Sequence, residues 1–290
     1  HPDGVFVEDT VVVHGHRAML ARPGARERRG ETVGTASTVR QLGLELAAIE
    51  GSDTLDGGDV LKVADRWYVG VGDRTTPGAC SQLAAFFGVE VVPVPITKAL
   101  HLKSAVTALP DGTVIGYQPL VDDPGVFARF LPVPEEPGSH VVVVDDKTVL
   151  MASSAPRTAG MLQERGLRTI EVDIGEFEKL EGCVTCLSVR VRQSVRPGAA
   201  AAERAVVVVV GCLEAGPVVQ FEDDRGYHGL HGVLVILGQP HQTLQAQDLR
   251  IAVAGDGQSD QRRPGGIGQH GRPGSQVLTR CAHPGPHPSG

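Results

Sequence analysis

No run of apolar residues in this chain is long enough to cross a bilayer as a helix. The longest, Ala205 to Leu213, falls far short of the roughly 18 residues required, so no membrane partner is expected. An excess of basic residues is also missing. The 290 residues include 34 Asp plus Glu against 27 Lys plus Arg. That balance argues against nucleic acid as a partner, because phosphate binding wants a basic footprint. It suits a small cationic ligand instead. There is no disulfide framework either: Cys80, Cys183, Cys186, Cys212 and Cys281 are odd in number and scattered. No basic segment followed by an apolar one opens the chain, so no secretory leader is read and a reducing cytoplasm is the expected location. The first residue is His1 rather than Met and leads straight into strand-like sequence, from which missing upstream residues are expected. What is present is ordinary globular stock. Hydrophobic residues at 41% suffice for a core, and the length carries a prior of about two domains.

Two compositions divide the chain near Val195. Before it, short strands alternate with short amphipathic helices, which reads as α/β. Val5–Val13 reads as a strand, followed through His14–His16 by a partner at Arg17–Arg22. Val33–Ile49 has helical spacing through Val39, Leu42, Leu46 and Ile49. Hairpins are predicted at Val60–Val71, at Ser104–Tyr117 around Pro110-Asp111-Gly112, and at Val141–Ala152 around Asp145–Lys147. Helices are predicted at Ala79–Phe87, Arg157–Arg165 and Glu176–Leu180, with further strands at Val89–Val94, Thr169–Val172 and Ser188–Arg192. After Arg196 lysine disappears and Gly, Pro, Gln and His become frequent. Ala205–Val210 and Gly232–Leu237 could be strands, but residues 196–290 are expected to be a poorly ordered or non-native extension.

Taken singly, the chemistry-bearing residues are ambiguous. Cys183 and Cys186 form a C-x-x-C between a short helix and a strand. A thioredoxin-like site would open a helix instead, and a zinc site needs a second ligand pair. A buried structural cysteine and a nucleophile at a strand entrance both remain open. His101 is a lone histidine between Leu100 and Leu102. Asp56-Gly57-Gly58-Asp59 is either a plain hairpin turn or a tight turn whose carboxylates hold a cation, a metal or a histidine. Glu8 and Asp9 are the anomaly. Two acids inside a Val-rich strand would point to opposite faces and cost stability unless a cation pairs with them.

Six stretches together resemble the dimethylarginine dimethylaminohydrolases, of the guanidino-group modifying (pentein) superfamily. They are Pro2-Asp3-Gly4-Val5-Phe6-Val7-Glu8-Asp9, Arg22-Pro23-Gly24-Ala25 with Arg28-Arg29, and Leu55-Asp56-Gly57-Gly58-Asp59-Val60. Val69-Gly70 with Arg74-Thr75, Leu100-His101-Leu102-Lys103-Ser104, and Thr185-Cys186-Leu187-Ser188 complete the set, in the family's order and over residues 1 to about 195. The resemblance implies a five-bladed α/β propeller of ββαβ-like units, the first unit incomplete because the family's N-terminal segment precedes the Pro-Asp motif. It implies Cys186 as nucleophile, His101 as general acid/base and Asp56 as the carboxylate orienting His101. Glu8 and Asp9 would grip the substrate guanidinium, and Asp3, Arg28 and Arg74 its amino-acid end. The implied reaction turns methylated arginine into citrulline and dimethylamine through a covalent thiouronium, with no cofactor and no metal.

The residue chemistry agrees with those roles. A guanidinium is a planar fork of donors that carboxylates match, and its carbon is a poor electrophile that calls for a thiolate. Acids around the site are expected to keep Cys186 a thiol until a cationic substrate arrives. The nearest rival is an arginine deiminase acting on free arginine; Asp56 speaks against it, since those enzymes more often carry glutamate there. A truncated, non-catalytic remnant and a redox or zinc protein built on Cys183 and Cys186 are the readings from other classes.

Overall fold

Short valine-rich segments separated by Asp, Gly and Pro pair first with their neighbours in sequence, and the same small pattern recurs along the chain. The computed structural model describes residues 3–193, 204–210 and 234–236. The first sheet joins β1 (Val11–His14), β2 (Arg17–Leu20) and β3 (Glu45–Ala48), with helix α1 (Thr32–Gln41) between the last two. The second joins β4 (Val60–Val63), β5 (Arg66–Val71) and β6 (Glu90–Pro95), with α2 (Pro77–Phe87) in the crossover. The third, of β7 (Val106–Ala108), β8 (Val114–Gly116) and β9 (Phe130–Pro132), crosses over through short 3-10 turns. The fourth holds β10 (Val141–Val143), β11 (Thr148–Ala152) and β12 (Arg168–Val172), with α3 (Pro156–Glu164) in its crossover and α4 (Gly175–Glu178) after it. The fifth comprises β13 (Ser188–Gln193), β14 (Arg204–Val210) and β15 (Leu234–Ile236).

In every sheet the first two strands are antiparallel and the third is parallel to the second. The antiparallel pair needs only a tight turn, whereas a parallel third strand needs a crossover, which the helices supply. The class is therefore α/β, built from small three-stranded sheets. The sheet of β1 to β3 has the same pairing as the others, although the first unit was expected to be incomplete. The fifth sheet draws β14 and β15 from the two strand candidates beyond Arg196, so strand pairing crosses the expected domain boundary. The rest of residues 196–290 lies outside the described residues. Among the described residues no helix is long and apolar enough to cross a membrane.

The structure departs from the sequence reading at three places that matter. The helix expected over Val33–Ile49 stops at Gln41, because Gly43 takes a left-handed turn (φ 71°) and Glu45–Ala48 pairs with β2 instead. The third strand of the third sheet, β9, follows no periodic signal; Phe130-Leu131-Pro132 is held by pairing with β8. Val7–Thr10 is a 3-10 turn rather than strand, closed by Thr10 Oγ1 donating to the Val7 carbonyl at 2.7 Å. Glu8 and Asp9 therefore do not face opposite sides of a sheet, and both are buried.

The first strands of the five sheets lie against one another. β1 packs beside β13, β4 beside β7 and β7 beside β10. Lys62 Nζ on β4 donates to the Val13 carbonyl on β1 at 2.7 Å, and Arg190 Nη1 on β13 donates to the Val143 carbonyl on β10 at 2.7 Å. A cavity of about 120 Å³ is lined by all five: Val11 to Val13, Val60 to Lys62, Thr107 and Ala108, Val141 to Val143, and Ser188 to Arg190. Glu8, Gly57, Lys103 and Thr185 also line it. All four belong to turns that precede first strands.

Candidate active site

Each first strand is entered through a tight turn, and those turns carry the chemistry. Val7–Thr10 leads into β1, Gly57–Asp59 into β4, Leu102–Ser104 into β7, Glu136–Ser139 into β10, and the turn from Cys183 to Leu187 into β13. A 3-10 turn directs consecutive side chains around a tight axis and leaves backbone N–H groups free to bind carboxylates. The turns are tied to each other in that way. The Glu8 N–H donates to the Cys186 carbonyl at 3.1 Å, the Gly58 N–H to Asp9 Oδ1 at 2.9 Å, and the Leu102 N–H to Asp59 Oδ1 at 2.9 Å. His140 Nε2 lies 3.0 Å from the Ser104 carbonyl. Five stretches distant in sequence thus meet at one place.

The paired glycines of the Asp56–Asp59 turn are needed for closeness. A Cβ on Gly57 would stand 2.0 Å from the Glu8 carbonyl oxygen, and one on Gly58 would stand 2.9 Å from Cγ of His101. His101 therefore rests on bare backbone. Its Nε2 sits 2.9 Å from Asp56 Oδ2, and Asp56 is fully buried. Asp56 is fixed in turn: Oδ1 accepts the Gly24 N–H at 2.9 Å, and its own N–H donates to Thr75 Oγ1 at 3.1 Å. Thr75 Oγ1 donates to Asp59 Oδ2 at 2.6 Å, so Asp56, Thr75, Asp59 and the His101–Leu102 backbone form one network. Burial opposes charge on His101, but the bond to Asp56 and the charges of Asp9, Asp59 and Asp56 win and push its pKa up to about 9. His101 is an imidazolium at neutral pH. Burial pushes Asp59 up to about 6, against His101 and its hydrogen bonds to Thr75 and Leu102.

Glu8 and Asp9 are neighbours in opposite electrostatic states. Burial pushes Glu8 up to about 7, against the attraction of Lys103, whose Nζ lies 2.5 Å from Oε1. Its second oxygen, Oε2, is buried with no hydrogen-bond partner. Such an atom costs on the order of 1–3 kcal/mol and is satisfied by a donor from a bound cation. Asp9 is also penalised by burial, but His101 and Arg28 hold its carboxyl below the usual range. Arg28 Nη1 donates to Asp9 Oδ2 at 2.6 Å, Nε and Nη2 grip Glu31 at 3.1 Å and 2.9 Å, and Nη2 also reaches the Phe6 carbonyl at 3.0 Å. Four of the five guanidinium N–H donors of Arg28 are so engaged, leaving one on Nη1.

Cys186 is half-buried in its turn, with Cys183 buried beside it. The two Sγ atoms are 3.1 Å apart. The hydrogen bond with Cys183, burial, and the negative field of Glu8 and Asp9 hold the Cys186 thiol well above its ordinary pKa. Asp9 acts electrostatically on both Cys186 and His101. Asp9, Asp56 and His101 also present ligand atoms within 4.8 Å of one another, but the short bonds from Gly58, Arg28 and Gly24 already occupy the carboxylates, which suits a fixed acid–base group better than a metal cage.

Of the residues singled out from sequence, Cys186, His101, Asp56, Glu8, Asp9 and Arg28 meet here. Arg74 is half-buried on the loop whose backbone packs against Gly24, and its side chain has no ion-pair partner among the described residues. Asp3 is exposed; its carbonyl, not its carboxylate, meets Arg28, at 3.3 Å. Four participants had no role assigned from sequence. Lys103 and Asp59 stood inside recognised motifs, and Glu31 lies three residues from Arg28, a spacing that pairs charges on a helical turn. His140 left no signal at all.

No family model matches the chain. It is 58% identical over 195 residues to a dimethylarginine dimethylaminohydrolase of Streptomyces coelicolor, covering 66% of this chain and 76% of that protein. It is 34% identical over 197 residues to the enzyme of the same name from Pseudomonas aeruginosa, covering 65% of this chain and 77% of the relative. The solved structure of a Pseudomonas aeruginosa mutant complexed with citrulline superposes with a TM-score of 0.59 at 32% identity, covering 64% of this chain and 75% of that one.

Proposed function

The chain belongs to the dimethylarginine dimethylaminohydrolase family, and from that membership we infer that it hydrolyses N-omega-methylated arginine, asymmetric dimethylarginine foremost, to citrulline and dimethylamine. The observation that carries the reading in the site itself is the orphaned, buried Oε2 of Glu8 beside an ionised Asp9 and a cysteine. A planar cation with a fork of donors fits that arrangement.

In the proposed mechanism Glu8 and Asp9 hold the guanidinium with its central carbon against Cys186. The substrate's positive charge opposes the field of the two acids and lowers the Cys186 pKa, so the thiolate forms where it is needed. Cys186 Sγ attacks the carbon, and a C–S bond forms as the C=N π pair moves to nitrogen. His101, already protonated, gives its proton to the dimethylamino nitrogen, and the C–N bond breaks. The neutral imidazole then takes a proton from water, which adds to the thiouronium carbon and expels Cys186 as citrulline forms. Asp56 keeps the ring aligned and stabilises its charged form. At the amino-acid end, Arg74 is the main partner of the α-carboxylate, because Arg28 has a single donor left over; Asp3, exposed nearby, suits the ammonium group.

The finer architecture belongs to the same reading. Five sheets of one pairing pattern, with first strands in mutual contact around one cavity and a site on the turns that enter them, fit a five-bladed α/β propeller. Residues 3–193 are its catalytic part.

Citrulline release from asymmetric dimethylarginine, with arginine run in parallel, tests the function. Turnover of the methylated substrate is expected; turnover of arginine alone would make the chain a deiminase. The substrate-assisted ionisation of Cys186 has its own test. The pH profile of its alkylation is expected to have a midpoint above the ordinary thiol value in the free protein and to fall when a non-reactive guanidine ligand is bound. Equal, low midpoints in both samples would overturn it.

A further inference from the structure

Hydrolysis needs one sulfur, yet two are within reach of each other. Cys183 opens the turn that Cys186 closes, and the bond from the Leu187 N–H to the Cys183 carbonyl at 3.3 Å folds the four residues back on themselves. That turn leaves Sγ of Cys183 3.1 Å from Sγ of Cys186 and 3.2 Å from Thr185 Oγ1. Closing the pair to a covalent length of about 2.05 Å asks for a shift of about 1 Å, which side-chain rotation within a turn can supply. Cys80, the remaining cysteine among the described residues, is buried on α2 in the core of the second sheet and takes no part.

We propose that Cys183 and Cys186 are a reversible redox pair, in which a disulfide between them shuts off and protects the nucleophile under peroxide. Cys183 is buried and Cys186 half-buried, so a peroxide meets Cys186 first. Its sulfur attacks the peroxide, an S–O bond forms as the O–O bond breaks, and the peroxide is reduced to water or an alcohol while Cys186 becomes a sulfenic acid. Cys183 then attacks the Cys186 sulfur. The S–S bond forms, the S–O bond breaks, and hydroxide leaves and takes up the proton released by Cys183. Two thiols and one peroxide thus give one disulfide, water, and a second water or an alcohol. The hydrogen bond from Cys186 and the nearby His140 hold the Cys183 thiol well below its ordinary pKa, which suits a resolving thiol. A dithiol reductant reverses the sequence. The effect on turnover rests on Cys186 being the hydrolytic nucleophile; the disulfide itself does not.

The full chain is treated with hydrogen peroxide, its remaining thiols are alkylated, and it is read by peptide mass mapping and by citrulline release before and after dithiothreitol. A peptide linking Cys183 to Cys186 is expected, with turnover reduced by at least about tenfold and restored by the reductant. In Cys183→Ala, each rate being compared with that variant's own untreated rate, inactivation is expected to become irreversible as the sulfenic acid proceeds to sulfinic acid. Cys186 recovered as sulfinic acid in the natural chain, or linked to Cys80, Cys212, Cys281 or a second chain, would overturn the pair. A Cys183–Cys186 disulfide with turnover undiminished would uphold the pair and overturn Cys186 as the nucleophile instead. The mass map of the natural chain decides even where the alanine variant fails to fold.

Discussion

Cys186→Ser is expected to lower citrulline release by at least about 10⁴-fold, a loss typical of removing a nucleophile that acts together with its acid and base. The guanidinium carbon is stabilised by resonance over three nitrogens, so the attacking atom must be intrinsically strong. A serine hydroxyl in this turn has no base to take its proton, since His101 is held charged with a pKa of about 9 by Asp56 and the acids around it. Nothing else in the site would be disturbed. Glu8, Asp9 and the backbone bond from the Glu8 N–H to the residue-186 carbonyl do not depend on the sulfur. The serine variant is therefore expected to bind a guanidine ligand while failing to turn it over, which isothermal titration alongside the citrulline assay would show. Residual turnover within about tenfold of the natural chain would mean that another group attacks the substrate.

Arg28→Ala is expected to cost about 3–5 kcal/mol of stability, the usual consequence of stripping one partner from a buried ion pair. Asp9 and Glu31 have side chains 6% and 5% exposed, and Arg28 is the cation between them. Its removal would leave two buried carboxylates without their counter-charge, and the Phe6 carbonyl without its donor. Activity would fall as well, because Asp9 would lose the bond that aims it. Arg28→Lys is not expected to rescue either property. A single ammonium cannot reach Asp9 through one nitrogen while gripping Glu31 through two others, as the planar fork does. Urea denaturation of the three proteins measures the difference; a loss under about 1 kcal/mol for the alanine variant would show that the cluster is not what holds the first turn.

Much of the site was legible in the sequence because its residues sit in short, dense motifs at the entrances of strands. Asp56-Gly57-Gly58-Asp59 carries its own explanation, since bare glycine backbone is what lets His101 and Glu8 approach. The Pro-Asp-Gly hairpin and the helices at Ala79–Phe87 and Arg157–Arg165 were equally local, and each falls within two residues of where it was read. Glu8 and Asp9 were recognised as anomalous for a reason that holds, but their alternation was misjudged. Strand and 3-10 turn look alike over four residues, and the choice was made by the partners at Cys186 and Gly58.

The sequence by itself determined the α/β alternation, most of the hairpins, and the identity of the nucleophile, the histidine and the acids, because turn chemistry and residue type act over a few positions. Only the tertiary structure decided that five separate turns converge, that Arg28 spends its donors on Asp9 and Glu31, that Lys103 and His140 belong to the site, and that β9 exists. Those are contacts between segments tens of residues apart. Local spacing does not encode them. They follow from which strands neighbour one another once the sheets have formed, and from the cost of leaving a buried charge without its partner.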